Sequence, residues 1–272
     1  MLLHAVGDGV YTRDVDDTWW GWNGQFGGYS LALALQACRM QNNDSTQRER
    51  AITMHFLRRM PAGSVRVVVA TERQGRTATT FSVRLSVDER LCGVGLVMFG
   101  SDRRAEAYQL AQPPDLVAPP PNETPQGTVI PGKFLEQLDV WPRHRGDFTG
   151  GSDVAESGGW LRLADRGGAD ERFLMMVADA YMPLSFLRAS EPAVGGTLDF
   201  TAHFRAPVPE TVIDGSEPVR VHLTSARSLD GYVDEDATVW TANGQLLLQS
   251  RQMRYTEIVD DLDVLNDIRG GG

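Results

Sequence analysis

The residues with the clearest capacity for chemistry are a single acid and a pair of glycines, each inside an apolar segment. Asp179 is the one carboxylate in Phe173–Arg188, FLMMVADAYMPLSFLR, a helix-like run that is apolar on nearly every face. Such a helix lies inside a protein, where an ionised carboxylate is costly unless it is hydrogen-bonded or paired. Asp179 is therefore either a satisfied structural group or an acid that a reaction requires.

Gly27 and Gly28 stand at the start of a second buried-helix candidate, Phe26–Met40, FGGYSLALALQACRM. Glycine allows another backbone or a ligand to come close, and the free N–H groups at a helix start suit an oxyanion or a carbonyl oxygen. The glycine pair is thus either part of a binding site or a means of entering the helix tightly.

Each of these two apolar helices precedes a series of strand-like runs with short joints, which is typical of antiparallel hairpins. The runs are Ala51–Met60, Val65–Glu72, Thr77–Val87 and Leu91–Gly100 in the first half, and Thr197–Arg205, Val219–Ala226, Tyr232–Thr241 and Gln245–Tyr255 in the second. His55-Phe56 corresponds to His203-Phe204. This internal repeat predicts an α+β protein in which two tandem helix-wrapped antiparallel sheets pair edge to edge as a pseudo-dimer.

The repeat also predicts the domain organisation. We expect an N-terminal unit over residues 1–102 and a C-terminal unit, with Asp179, over 172–260. Residues 103–171 are rich in Pro and Gly and are expected to form a partly packed linker with one short strand, Trp160–Leu163. Residues 261–272 are acidic, end in three glycines and are expected to be a flexible tail. Pro183 is expected to kink or end the second helix.

Composition excludes several classes of protein. The formal net charge of -10 over 272 residues argues against a nucleic-acid partner. No apolar run approaches the roughly 20 residues of a membrane span, and the N-terminus lacks the pattern of a signal peptide. Cys38 and Cys92 lie in apolar runs and indicate core thiols in a reducing compartment. We therefore expect a cytoplasmic protein. No metal-ligand spacing, Gly-x-Ser-x-Gly elbow or phosphate loop occurs, so no cofactor is expected.

Motifs in both halves resemble those of a known enzyme family. GQFGGYSLALALQA and HFLRRMPAG in the first half, with VADAYMPLSFL, GGTLDFTAHFRAP and GQLLLQSRQMRY in the second, resemble the type II acyl-CoA thioesterases of the thioesterase-like superfamily. The resemblance covers roughly 20–102 and 172–255. It implies a double hotdog fold, an acyl-CoA substrate that is hydrolysed to a free acid and CoA, a place in fatty acid metabolism, and a homo-oligomer.

The family activates water with an Asp–Gln–Thr group, which the resemblance places on Asp179, Gln252 and Thr197. The first helix has no carboxylate, so only the second half carries an acid on its buried helix. Asp179 can accept a proton from water, and a hydroxyl and an amide can each hold water and carboxylate in place because both donate and accept. Asp199 is expected on the same strand face as Thr197.

The N–H groups of Gly27 and Gly28 are expected to bind the substrate by facing the thioester carbonyl across the pseudo-dimer interface. The sequence departs from the family where Ala202-His203 replaces a usual aromatic residue, which bears on acyl preference.

Two alternatives stay open. One is a hotdog enoyl-CoA hydratase or dehydratase, in which a His follows the Asp by five residues; here Leu184 stands at that distance. The other is a non-catalytic acyl-CoA-binding module.

Overall fold

The computed structural model describes residues 2–22, 24–126, 132–143 and 150–260. The N-terminal half contains β1 (His4–Gly7), β2 (Val10–Val15), α1 (Gly27–Gln41), β3 (Gln47–Phe56), β4 (Gly63–Gln74), β5 (Ala78–Val87) and β6 (Arg90–Ser101). The C-terminal half begins with a 3-10 helix (Lys133–Gln137) and continues with β7 (Leu138–Pro142), β8 (Glu156–Leu163), α2 (Glu171–Ala178), α3 (Leu184–Arg188), β9 (Ala193–Phe204), α4 (Glu210–Ile213), β10 (Val219–Thr224), β11 (Ser228–Leu229), β12 (Tyr232–Trp240) and β13 (Leu246–Ile258).

Within the described residues, all strands belong to one sheet in the order β1-β2-β4-β5-β6-β3-β9-β13-β12-β10-β8-β7, while β11 pairs with β12. From either end of the sheet inwards, the strands of each half come in the same sequence when β11 is left out: the first, second, fourth, fifth, sixth and third strand of that half. In each half two strands precede the central helix and the others follow it. The antiparallel pairing of β3 with β9 joins the halves, so the predicted edge-to-edge union of two helix-wrapped sheets is confirmed.

The centre of this union lies at Thr53 and Thr201, which face each other in the β3–β9 register. Their hydroxyl oxygens are 3.0 Å apart. The segments Thr53–Phe56 and Thr201–Phe204 have the corresponding sequences TMHF and TAHF. Equivalent residues therefore meet at a local two-fold axis, as an isologous interface requires.

The described part of the segment 103–171 contributes two strands, β7 and β8, to the edge of the sheet, where the sequence predicted a linker with one short strand. These strands occupy the positions that β1 and β2 occupy in the first half. Gly158 and Gly159 in β8 have φ values of 155° and 156°, and a Cβ on either would meet a carbonyl oxygen of a neighbouring strand. The glycines therefore serve close strand packing, a use that composition does not distinguish from a flexible linker. The predicted tail, 261–272, lies outside the described residues.

The second buried helix also differs from its prediction. It is divided into α2, which ends at Ala178, and α3, which begins after Pro183. Proline lacks an N–H and disfavours a helical conformation in the residue before it. Asp179 is consequently the residue that caps the C-terminus of α2, and it does not lie in the middle of a continuous helix.

Helices α1 and α2 pack antiparallel inside the sheet. At one end a Cβ on Gly28 would lie 2.7 Å from the Met176 Cα, so the close approach requires glycine. At the other end Arg39 forms ion pairs with Glu49, Asp170 and Glu171 at 2.6, 2.8 and 3.0 Å. This packing brings the N-terminus of α1 to the C-terminus of α2. No helix among the described residues is long and apolar enough to cross a membrane.

Candidate active site

Asp179 is held by donors from both halves of the molecule. It is 8% exposed. The Gly28 N–H at the start of α1 donates to Asp179 Oδ2 at 3.0 Å, and Arg254 Nη2 on β13 donates to Oδ1 at 2.7 Å. Asp179 therefore lies where the two halves meet, at a point that neither half forms alone.

Thr197 and Gln252 belong to a hydrogen-bonded network that reaches Asp179. Thr197 Oγ1 donates to Gln252 Oε1 at 3.0 Å, and Gln252 Nε2 donates to Glu235 Oε1 at 2.6 Å. Arg254 Nε donates to the same Glu235 oxygen at 3.1 Å. The structure thus brings the three predicted residues into one buried cluster, with Glu235 and Arg254 as additional members.

A β-bulge in β9 determines the direction of Thr197. Asp199 pairs with Met253 and Thr197 with Arg254, so Leu198 is an extra residue on β9. A bulge interrupts the alternation of faces along a strand. The expectation that Thr197 and Asp199 share a face is therefore wrong: Thr197 joins the buried network, whereas Asp199 Oδ1 accepts from the backbone N–H of Met253.

Glu235 and Arg254 were missed by the sequence interpretation, although their positions in the strands indicated them. Glu235 lies between the buried residues Val233 and Ala237 on the same inward face of β12. Arg254 lies two residues from Gln252 on β13, and therefore on the same inward face. A charged residue at an inward strand position needs a partner of opposite charge. The register places Glu235 directly opposite Gln252, and Arg254, two residues from Gln252, supplies the opposite charge.

The pKa of Asp179 is raised from the ordinary 3.8 to about 6, and burial is the largest cause. The Arg254 cation lowers this pKa, the Glu235 carboxylate raises it, and the Gly28 N–H and the Gln252 amide lower it. Burial lowers the pKa of the Arg254 guanidinium, but Glu235 and Asp179 raise it by more. Arg254 is therefore a cation, and the Asp179 carboxyl group loses its proton at a higher pH than an ordinary aspartate does.

The glycine pair has two different environments. The Gly28 N–H is already bonded to Asp179, which corrects the expectation that it faces a thioester carbonyl. Gly27 lines the neighbouring cavity, and a Cβ on Gly27 would lie 2.7 Å from Asp179 Oδ2. Both glycines therefore allow the carboxylate to approach the start of α1.

A cavity of about 350 Å³ opens onto Asp179. Its polar wall contains Asp179, Thr197 and Arg254, and two further arginines, Arg58 and Arg59, also line it. Both of these are solvent-exposed. Gln252 does not line the cavity and acts on it only through Thr197 and its other partners.

Apolar and aromatic side chains form most of the remaining cavity wall, and several are in ring contact. Phe26 stacks on Phe134 with ring centroids 4.1 Å apart, and Trp22 meets Phe186 edge to face at 5.3 Å. Phe134 comes from the 3-10 helix within the segment that was expected to be a linker. The described residues contain no group of three or more His, Cys, Asp or Glu that could hold a metal ion.

Two helices packed inside a shared antiparallel sheet, with a polar cluster where they meet, define the double hotdog fold. Family models of the acyl-CoA thioesterase N-terminal and C-terminal domains match residues 16–100 and 112–255. The chain therefore belongs to the acyl-CoA thioesterase family, and its reaction class is thioester hydrolysis. No curated protein sequence gives a significant match.

Solved structures agree with this fold. The chain is similar to a conserved hot dog protein of unknown function from Alicyclobacillus acidocaldarius, with 23% identity, a TM-score of 0.84, and coverage of 95% of this chain and 96% of that one. It is also similar to a putative thioesterase II from Thermobifida fusca, with 24% identity, a TM-score of 0.76, and 94% and 95% coverage. An acyl-CoA thioesterase II, TesB2, from Mycobacterium marinum has 18% identity, a TM-score of 0.74, and 95% and 96% coverage.

Proposed function

We propose that the protein hydrolyses an acyl-CoA thioester to a free acid and CoA with a water molecule that Asp179 activates. One observation carries the proposal. The Asp179 carboxylate lines an apolar cavity and has one donor on each oxygen. Because a carboxylate oxygen has two acceptor sites, each oxygen can still accept a hydrogen bond from a water in the cavity.

Thr197 and Gln252 position this water in the proposed reaction. The Thr197 hydroxyl donates its hydrogen to Gln252 Oε1, so its oxygen lone pairs are available to a water proton. Glu235 fixes the Gln252 amide from the other side. Gln252 thus determines the direction of the Thr197 hydroxyl, which is the kind of positioning that lowers the barrier to attack.

The proposed step begins with attack of the water oxygen on the thioester carbonyl carbon, while Asp179 takes the proton. The first N–H groups of a helix have no partner within the helix, and Gly27 at the start of α1 lines the cavity. Its N–H is the group suited to stabilise the carbonyl oxygen as it becomes negative. The carbon–sulfur bond then breaks, and the proton held by Asp179 goes to the departing CoA thiolate.

The lining of the cavity supports an acyl-CoA substrate. The aromatic and aliphatic wall suits an acyl chain, whereas Arg58 and Arg59 present cations at the exposed side. Guanidinium groups bind phosphates well, so these two arginines are our candidates for contacts with the CoA phosphates.

Release of CoA thiol from acyl-CoAs of graded chain length, measured with a thiol reagent, tests the proposal. We expect turnover for at least one chain length. A folded protein that releases no CoA from any of them would contradict it. Hydration of crotonyl-CoA, measured in parallel, tests the hydratase alternative. We expect no hydration, because the residue five positions after Asp179 is Leu184, whose side chain has no group that can transfer a proton.

Three further parts of the proposal concern the whole protein. A water-activating carboxylate needs no cofactor, so activity should survive dialysis against a chelator. The composition favours the cytoplasm, which cell fractionation would test. A homo-oligomer and a role in fatty acid metabolism are proposed from the family; sedimentation and the acyl-CoA profile of a deletion strain would test them.

A further inference from the structure

We propose that Arg254 is a positioning residue that keeps Asp179 ionised and oriented, and that Glu235 limits how strongly it does so. The proposal rests on the proposed function, in which Asp179 is the base. It adds a cation and a second acid to the predicted group of Asp179, Thr197 and Gln252.

The geometry makes Arg254 a bridge between two buried carboxylates. Its Nη2 contacts Asp179 at 2.7 Å and its Nε contacts Glu235 at 3.1 Å. The side chains of Arg254, Asp179 and Glu235 are 9%, 7% and 0% exposed. Two donors of one planar group therefore fix the direction of Asp179 relative to β12 and β13.

Glu235 is itself held firmly. Its Oε1 accepts from Gln252 and Arg254, and its Oε2 accepts from the Leu184 N–H at the start of α3 at 3.0 Å. Glu235 therefore shares the Arg254 guanidinium with Asp179, so that one cation lies between two buried carboxyl groups.

Asp179 lies in opposing electrostatic fields. From α1 it receives the Gly28 N–H, and from β13 the Arg254 cation, and both stabilise its charged form. From β12 the Glu235 carboxylate destabilises that form. No acidic residue stands in the first turn of α1. The other titratable groups that line the cavity with Asp179 are Arg58, Arg59, Cys92, Tyr181 and Tyr255.

These fields predict changes of opposite sign. Removal of the Arg254 charge should raise the pH at which Asp179 ionises by about one to three units, the usual effect of an adjacent opposite charge. Removal of the Glu235 charge should lower it by about one unit. A residue with only a structural role would reduce activity or stability without moving this pH in a direction that follows the sign of the lost charge.

The test uses Arg254→Gln, Glu235→Gln and the double variant in the full-length chain. Arg254→Gln leaves two buried carboxylates without their cation and can destabilise the fold. The double variant also removes the Glu235 carboxylate, so only one buried carboxylate is left without a cation. It can therefore be measured if Arg254→Gln alone does not fold. Arg251→Gln is the matched control, because Arg251 also pairs with an acid of β12, Asp236, but is 68% exposed.

Two readouts are needed. The first is carboxyl ¹³C NMR titration of Asp179, with its signal identified by its loss in Asp179→Asn. The second is the pH profile of kcat/KM. We expect the Asp179 midpoint to rise in Arg254→Gln, to fall in Glu235→Gln, to rise by a smaller amount in the double variant and to stay unchanged in Arg251→Gln. At pH 7 a rise from about 6 to about 8 would reduce kcat/KM about tenfold.

An Asp179 midpoint that is equal in wild type, in Arg254→Gln and in the double variant would overturn the inference, even if the enzyme hydrolyses acyl-CoA. Conversely, a wild type that releases no CoA while the Asp179 signal shifts as expected would contradict the proposed function and leave the electrostatic role of Arg254 supported. The NMR readout separates these two failures because it does not depend on turnover.

Discussion

Asp179 reaches the cavity because α2 ends one residue before it. The carboxylate is then at the open end of the helix, where donors from α1 and β13 can reach it. Its position could be recognised in the sequence as an acid in an apolar run. The pairing of this acid with Gly28 and Arg254 could not be recognised, because Gly28 is 151 residues away along the chain and Arg254 is 75 residues away.

Asp179→Asn should reduce kcat by about 10²- to 10⁴-fold, the usual contribution of a general base. The fold should persist, because the amide oxygen can still accept a hydrogen bond from Gly28 or Arg254. Initial rates of CoA release measure the effect, and circular dichroism checks the fold. Asp199→Asn is the matched control on β9 and should keep wild-type kcat. A wild-type rate in Asp179→Asn would show that the helix acid is only structural.

The pH dependence of the wild type follows from the same residue. Because burial raises the pKa of Asp179 to about 6, and because the base must be ionised to accept a proton, kcat/KM should increase with pH up to that value and then level off. Below it, activity should fall about tenfold for each unit of pH. A profile that is flat between pH 5 and pH 8 would contradict Asp179 as the base.

At the scale of elements, the contact between α1 and α2 decides whether the site forms. Gly28 is placed against Met176 with no room for a side chain, and its N–H is the donor that joins the first half to Asp179. The sequence predicted two buried helices, the second of which is divided into α2 and α3, and left open whether the glycines bind a group or only allow tight helix entry. It did not predict that one glycine would bind the acid, since that depends on how the helices pack.

Gly28→Ala should destabilise the protein by about 1–3 kcal/mol, the usual cost of an added methyl group in a packed core. It should also reduce activity, because separation of the helices lengthens the bond from residue 28 to Asp179. Thermal unfolding and the CoA-release assay measure the two effects. Gly7→Ala in β1 is the control, since a Cβ there would make only ordinary contacts, at 3.7 Å or more. A stable, fully active Gly28→Ala would show that the contact is not restrictive.

The β-bulge at Leu198 is a second feature of this scale. Alternation along Thr197–Arg205 predicted the strand correctly, but it predicted the wrong face for Asp199 relative to Thr197. A single extra residue reverses the faces on one side of the bulge. The position of the bulge is set by the pairing of β9 with β13, and this pairing cannot be predicted from the sequence of β9 alone.

At the scale of the whole molecule, the site lies on one side of a two-fold axis that runs between Thr53 and Thr201, because α2 has Asp179 at its end whereas α1 contains no carboxylate. The first half supplies Gly27, Gly28, Arg58 and Arg59, and the second supplies Asp179 and its network, including Arg254. The two halves have thus taken on different parts of one site.

This division predicts that residues of the first half bind the CoA part of the substrate. Arg58→Gln combined with Arg59→Gln should raise KM for acyl-CoA about tenfold, the effect of one lost charge-assisted hydrogen bond, with little change in kcat. KM for an acyl thioester of N-acetylcysteamine, which has no phosphates, should be unchanged. Arg66→Gln with Arg84→Gln, two exposed positions on β4 and β5 that do not line the cavity, is the control. An unchanged KM for acyl-CoA in the Arg58/Arg59 variant, or a rise by the same factor for both substrates, would exclude a phosphate contact.

The sequence by itself determined the helix–sheet repeat, the α+β class and the position of one acid in an apolar run, which follow from apolar periodicity. The choice of Thr197 and Gln252 came from motifs that resemble those of a known family, and both residues lie in the network that reaches Asp179. Only the tertiary structure decided that β7 and β8 complete the second sheet, that Gly28 and Arg254 hold Asp179, and that Glu235 opposes its charge. Each of these depends on distances between segments remote in sequence, and burial and Coulomb interactions act through distance in space.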